Sequence, residues 1–151
     1  MKIAIASDHA GFPLKKALIP FIEGKGHEVC DYGTDSPDKS ADYPDFAFKA
    51  GQAVLSGQAD RAIMVCGSGV GACVAANKIK GIRAGLCHDT YSAHQAVEHD
   101  NINMLCLGAR VIGVEPAYEI TAAFLGAKFT NEERHCRRLK KVMAIEAGQK
   151  L

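Results

Sequence analysis

An open, five-stranded parallel sheet with helices on both faces is the architecture that the sequence predicts, and three observations predict it. Five short apolar runs recur along the 151 residues, and stretches with helical spacing alternate with them. Successive parallel strands need long crossovers, and such crossovers are right-handed. The central run, Ile63 to Val65, has no polar side, as expected of a strand covered on both faces.

Taken in order, Lys2 to Ala6 (KIAIA) reads as the first strand, and Ser7, Asp8, His9 and Gly11 as a polar loop at its carboxyl end. Leu14, Ala17, Leu18, Phe21 and Ile22 then follow a 3.6-residue period. Pro13 suits a first turn, Pro20 predicts a kink or a break, and Gly24 and Gly26 end the helix. His27 to Asp31 is a shorter second strand, and the turn-rich stretch from Gly33 to Pro44 reads as connection only. Ala47, Ala50, Val54 and Leu55 mark a second helix, which stops near Gly57.

The third strand ends in Cys66, and CGSGVG leads into a helix expected from Val70 to Ile79. Arg83 to Cys87 is a fourth strand, Thr90 to Glu98 a helix, Met104 to Leu107 a fifth strand, and Val114 to Leu125 a helix with Pro116 in its first turn. The last piece, Asn131 to Ala147, reads as an amphipathic helix with Asn131 as N-cap, Glu132 and Glu133 in the first turn, and Leu139, Val142 and Met143 on one side. No linker, repeat or low-complexity segment divides the chain. The expectation is one α/β domain over residues 1–151, a Rossmann/flavodoxin-like three-layer sandwich with a C-terminal amphipathic helix at 131–147.

Composition narrows the function. With 18 basic and 17 acidic side chains the net charge is +1, so neither nucleic acid nor an anionic membrane is an expected partner. Six cysteines, none in a CxxC pair, sit mostly in or at the ends of apolar runs, which argues against a disulfide framework or a zinc module. Met1 leads straight into a strand and no apolar window approaches 18 residues, so a soluble, cytoplasmic protein is expected.

Ligands of open parallel sheets bind beyond the carboxyl ends of the strands, near the point where strand order reverses. Asp8 and His9 follow the first strand and Cys66 to Gly71 follow the third, so polar chemistry converges on one rim if those strands are neighbours. Gly67, Gly69 and Gly71 allow a tight turn whose amides, gathered at a helix start, would cradle an anion. A cysteine at a strand end is commonly a small core thiol; beside such amides its thiolate is favoured. A phosphatase loop would need an arginine six positions after the cysteine, and that position is Ala72.

Gly67, Gly69 and Ala72 also satisfy a GxGxxA dinucleotide fingerprint with Asp89 as a ribose-binding acid, but at the third strand instead of the first. Arg134 and Arg138, four apart, share a helix face that is either solvated or matched to a phosphate dianion, and Arg110 could add a third guanidinium. His99, beside Asp100, either ends a helix or donates a proton near neutral pH. His27, His88 and His94 show no partner pattern and read as structural.

As a set, SDHAG at 7–11, DYP at 42–44, CGSGVG at 66–71, AANKIKGIRA at 75–84, YSA at 91–93 with His99, LGARVIG at 107–113 and ERHCRR at 133–138 resemble the ribose 5-phosphate isomerase B family over nearly the whole chain. That family also contains galactose 6-phosphate and allose 6-phosphate isomerases. The resemblance implies an aldose–ketose isomerase of carbohydrate metabolism, within the pentose phosphate pathway for ribose 5-phosphate. It acts through an enediolate, with neither metal nor organic cofactor. Cys66 matches the base and His99 the acid that opens the sugar ring. The amides of Gly67, Ser68, Gly69, Val70 and Gly71 with the Ser68 hydroxyl would hold the developing charge. Asp8 and His9 match substrate-binding positions, and Arg110, Arg134 and Arg138 match ligand-binding positions, where a fixed phosphate would keep C1 and C2 over the thiolate.

The resemblance further implies a homodimer, or a homotetramer of paired dimers, with sites shared across the subunit interface. Two departures stand out. Relatives without the cysteine place a glutamate base early in the next helix, whereas this chain has Ala72 and Cys73 there, so Cys66 is the only base in that loop. The residue after the histidine, usually an asparagine that touches the sugar, is Asp100, which when ionised only accepts hydrogen bonds.

Overall fold

The structure, a computed structural model, describes residues 1–150. Its strands are β1 (Lys2–Ser7), β2 (Glu28–Asp31), β3 (Arg61–Cys66), β4 (Ala84–Leu86) and β5 (Met104–Gly108). Its helices are α1 (Phe12–Gly24), α2 (Tyr43–Leu55), α3 (Val70–Ala76), α4 (Thr90–Asp100), α5 (Val114–Gly126) and α6 (Glu133–Glu146). All pairings are parallel, in the order β2-β1-β3-β5-β4, so β1 and β3 are neighbours and the order reverses beside them. This is the flavodoxin-like α/β sandwich expected from the alternating runs. Among the described residues no helix is long and apolar enough to cross a membrane.

The period-2 alternation of the strands separates two unlike cores. Ile3, Ile5, Ile63, Val65, Leu105 and Leu107 face one layer of aliphatic and aromatic side chains, among them Leu14, Leu18 and Ile22 of α1 and Ile120 and Phe124 of α5. Ala4, Ala6, Ala62, Met64 and Cys66 face the other, where alanines of α2 and α3 pack against them. Small residues on both sides let those two helices lie close to the sheet. Cys66 therefore ends a strand whose last turn has little free volume beneath it.

Four expectations are corrected. α1 runs unbroken across Pro20, because that residue faces solvent, as does Lys16, whose carbonyl loses its helical partner. Leu14, Leu18 and Ile22 hold the buried side together on both sides of it. α3 stops at Ala76 instead of Ile79: the Asn77 amide donates to the carbonyls of Cys73 and Ala84 and accepts from Ala84 N–H, tying the helix end to β4. Asn131 is not a cap: it sits in the left-handed region at φ 57°, and Glu132 takes the N-cap position without a side-chain cap bond. Asparagine tolerates that conformation better than other non-glycine residues.

The fourth correction concerns the stretch from Gly33 to Pro44, which does more than connect. Thr34 N–H donates to Ser7 O, and its carbonyl accepts from Lys15 Nζ at 2.7 Å. Lys15 is 1% exposed, and Nζ also meets both Asp31 oxygens, at 2.8 and 2.7 Å. A buried ammonium left with half its partners is costly, so this clamp fixes where the loop leaves the sheet. Lys15→Met should lower unfolding stability by about 2 kcal/mol in urea titrations, the low end of such pairs because Asp31 is partly solvated and can rehydrate. An unchanged midpoint would show the clamp to be energetically idle.

Candidate active site

The carboxyl ends of β1, β3 and β5 open onto a cleft of about 440 Å³ lined by Asp8, His9, Ala10, Tyr43, Cys66, Gly67, Ser68, Gly71, Arg110 and Val111. Its floor is backbone packed on backbone. Asp8 N–H donates to Val65 O, and the Asp8 carboxylate turns back to accept from Gly11 N–H at 2.9 Å. A Cβ at Gly11 would lie 2.2 Å from Val65 O, so only glycine lets α1 start against the end of β3. Asp8 is thereby held at 6% exposure on the cleft wall.

Cys66 is 4% exposed, and its sulfur accepts from Gly69 N–H at 3.1 Å. Gly69 adopts φ 80°, which turns the chain into α3 and aims its amide back at the thiol. Ser68 Oγ accepts from Val70 N–H at 3.3 Å. The glycine turn thus gathers amides around the cysteine.

β5 brings in the cation. Ala109 N–H donates to Cys66 O at 2.9 Å and Arg110 N–H to Gly67 O at 3.0 Å, so the segment after β5 is stitched directly to the cysteine loop. The Arg110 guanidinium lies over Gly67, with Nη1 3.6 Å from where a Cβ would stand, and it has no ion-pair partner among the described residues. His9 is anchored through Nδ1, 3.1 Å from Ala41 N and 3.3 Å from Ala41 O. Tyr43, at the start of α2, closes the side opposite Arg110's strand by packing over Gly71, whose Cβ would meet its ring at 2.7 Å.

Among the residues expected at the site, the structure brings Asp8, His9, Cys66, Gly67, Ser68, Gly71 and Arg110 to one cleft, with Gly69 and Val70 directing amides at its cysteine and serine. It places His99, Asp100, Arg134 and Arg138 elsewhere. His99 and Asp100 end α4, and the His99 ring stacks at 4.0 Å on His135 of α6, beside which Arg134 and Arg138 stand. His135 is buried, and its Nδ1 lies 2.7 Å from Thr130 Oγ1. Burial first, then the neighbouring His99 and Arg134, hold its pKa below the usual histidine value. Arg134 Nε pairs with Glu132 at 2.9 Å, while Arg138 has no carboxylate partner among the described residues.

Asp89, the ribose-binding acid of the dinucleotide alternative, instead caps α4 by accepting from Ser92 N–H at 2.7 Å, and it does not line the cleft. Tyr43 was missed. The signal was present in DYP at 42–44, an aromatic residue placed at the start of a helix by the proline after it. His88 was also passed over: its Nε2 accepts from Gly108 N–H at 2.9 Å. A second thiol, Cys73, is drawn down to about 7, chiefly by a hydrogen bond from Cys106, while burial pushes Cys87 up to about 11.

The family model described as ribose/galactose isomerase matches residues 3–142. Ribose-5-phosphate isomerase B of Escherichia coli (strain K12) is 43% identical over 145 residues, covering 96% of each chain. D-erythrulose-4-phosphate isomerase of Pectobacterium atrosepticum is 44% identical over 129 residues, or 85% of each. Among solved structures, ribose-5-phosphate isomerase B of Clostridium thermocellum superposes with a TM-score of 0.94 at 44% identity, covering 98% of this chain and 99% of that one.

Proposed function

The chain belongs to the ribose/galactose isomerase family, and from that premise we propose that it interconverts D-ribose 5-phosphate and D-ribulose 5-phosphate through an enediolate, without a cofactor, in the cytoplasm. The observation that carries the reading is Cys66, a thiol at the floor of a cleft with Gly69 N–H aimed at its sulfur and an unpaired Arg110 guanidinium across Gly67.

In this reading the Cys66 thiolate takes the proton from C2 of the open aldose and returns it to C1. The negative charge that develops on the C1 and C2 oxygens meets the amides of Gly67 to Gly71 and the Ser68 hydroxyl. One such preorganised donor is worth about 3 kcal/mol of barrier. Asp8 and His9 hold sugar hydroxyls, and Arg110 binds the far end of the substrate, which fixes the reacting carbons over the sulfur.

His99, Asp100, Arg134 and Arg138 enter from a second copy of the chain. Two observations support a shared site. The four residues stand together yet do not line the cleft of their own protomer. Apolar side chains also lie uncovered: Val70 at 51% and Val74 at 57% exposure on α3, Tyr91 at 71% on α4, and Val142 at 49%, Met143 at 52% and Ile145 at 59% on α6. Joined as a dimer, the chain would bring a ring-opening acid and two phosphate-binding guanidiniums to each Cys66.

A proton NMR time course of ribose 5-phosphate in D2O, with EDTA and no added metal, tests the activity. Ribulose 5-phosphate should appear, with deuterium entering at the exchanging carbon. The four-carbon relative favours a second reading, in which the substrate is D-erythrulose 4-phosphate. That sugar and the 6-phosphates of allose and galactose should be run in parallel, and inertness toward all of them would overturn the isomerase assignment.

A further inference from the structure

β4 ends at Leu86, at the edge of the sheet, while its neighbour β5 continues to Gly108. In a parallel ladder alternate amides of β5 point toward β4. The register pairs Leu86 with Cys106, and Cys87 N–H still reaches Cys106 O, but two residues further on no strand is left to receive the Gly108 amide. Gly108 is buried, so an unpaired N–H there would be costly. The acceptor is a side chain: His88 Nε2, at 2.9 Å.

Gly108 is also the point where the two loops of the cleft cross. A Cβ on it would lie 2.5 Å from Ser68 O, and the next two amides are the ones that bind Cys66 O and Gly67 O. Beyond Cys106 the end of β5 is thus held to the cysteine loop on one side and to His88 on the other. Arg110, two residues on, takes its position from this crossing.

We propose that His88 is a positioning residue of the isomerase: its neutral ring, protonated at Nδ1 and accepting at Nε2, fixes the Gly108 crossing from which Arg110 reaches the phosphate of the substrate. The inference rests on the sugar-phosphate reading given above. His88 does not line the cleft. Because Arg110 binds a group that does not change in the reaction, loosening it weakens substrate and transition state alike and appears in KM.

His88→Leu and His88→Gln separate this role from simple packing. The leucine variant should raise KM about tenfold, the worth of one charge-assisted contact between Arg110 and the phosphate, with kcat changed by less than about threefold. The glutamine variant, whose Oε1 can accept in place of Nε2, should bring KM back to within about twofold of wild type. In the wild-type protein near pH 8, the ring nitrogen shifts should show His88 as the Nδ1–H tautomer, a reading that does not depend on activity or on how any variant folds. A wild-type KM in His88→Leu, no rescue by glutamine, or an Nε2–H tautomer would each overturn the positioning role. Failure of the wild-type protein itself to isomerise any of the sugar phosphates would instead overturn the activity on which the role rests.

Discussion

Cys66→Ala is expected to lower kcat by about a thousandfold while leaving the dissociation constant for inorganic phosphate within about twofold of wild type. General-base catalysis by a placed side chain is typically worth about 10²–10⁴ in rate, and no other base stands in the loop from Gly67 to Gly71. The variant should fold. It removes one sulfur from a nearly closed site, and the hydrogen bonds of Ala109 and Arg110 run to the backbone of the cysteine loop, so the scaffold of the cleft survives the change. Initial rates together with phosphate titration by calorimetry would read both quantities. Turnover within tenfold of wild type would remove Cys66 from the role of base. Alkylation is a poorer experiment than substitution, because Cys73 is half-buried, has its pKa drawn down to about 7, and competes for the reagent.

The second large effect is a recovery. Cys66→Ala and His99→Asn should each be nearly inactive alone, and mixing them under conditions that exchange subunits should restore about a quarter of the wild-type rate. In the proposed dimer, random reassortment would make about half of the pairs mixed, and each mixed pair would join one intact Cys66 with one intact His99 while its other site carried both defects. If one protomer supplied both groups, no reassortment could rebuild a site and the mixture would stay inactive. Because His99 stacks on His135 away from the cleft of its own chain, the expected outcome is recovery. Arg134→Ala in place of His99→Asn would ask the same question of the phosphate anchor.

The sheet was legible in the sequence because its signals are local. An apolar run ending in Cys66 and a glycine every second residue define a strand, a turn and a helix start without reference to anything distant. The neighbouring of β1 and β3 followed from topology rules that apply to most parallel sheets. What failed was set by contacts between elements. Pro20 is tolerated because tertiary packing of Leu14, Leu18 and Ile22 outweighs a local break. The early end of α3 depends on Asn77 finding the edge of β4, a partner that lies seven residues away and across a turn. The residues that the chain gathers in one cleft, from Asp8 to Arg110, were legible as neighbours because each follows a strand end. The contacts of Tyr43 and His88 escaped the sequence for a shared reason: neither the Gly71 face nor the Gly108 amide can be read from the residues beside them.

The close contacts at Gly11 and Gly108 bear on how such an enzyme can change its substrate. A methyl group at either position would collide with a neighbouring peptide, so these two backbone crossings are closed to gradual change by point substitution. The side chains of the lining, Tyr43, Arg110 and Val111 among them, carry no such backbone constraint. If the proposed isomerase reading holds, a lineage moving between sugars of different length can change these side chains one residue at a time while the backbone crossings beneath the cysteine loop are inherited unaltered.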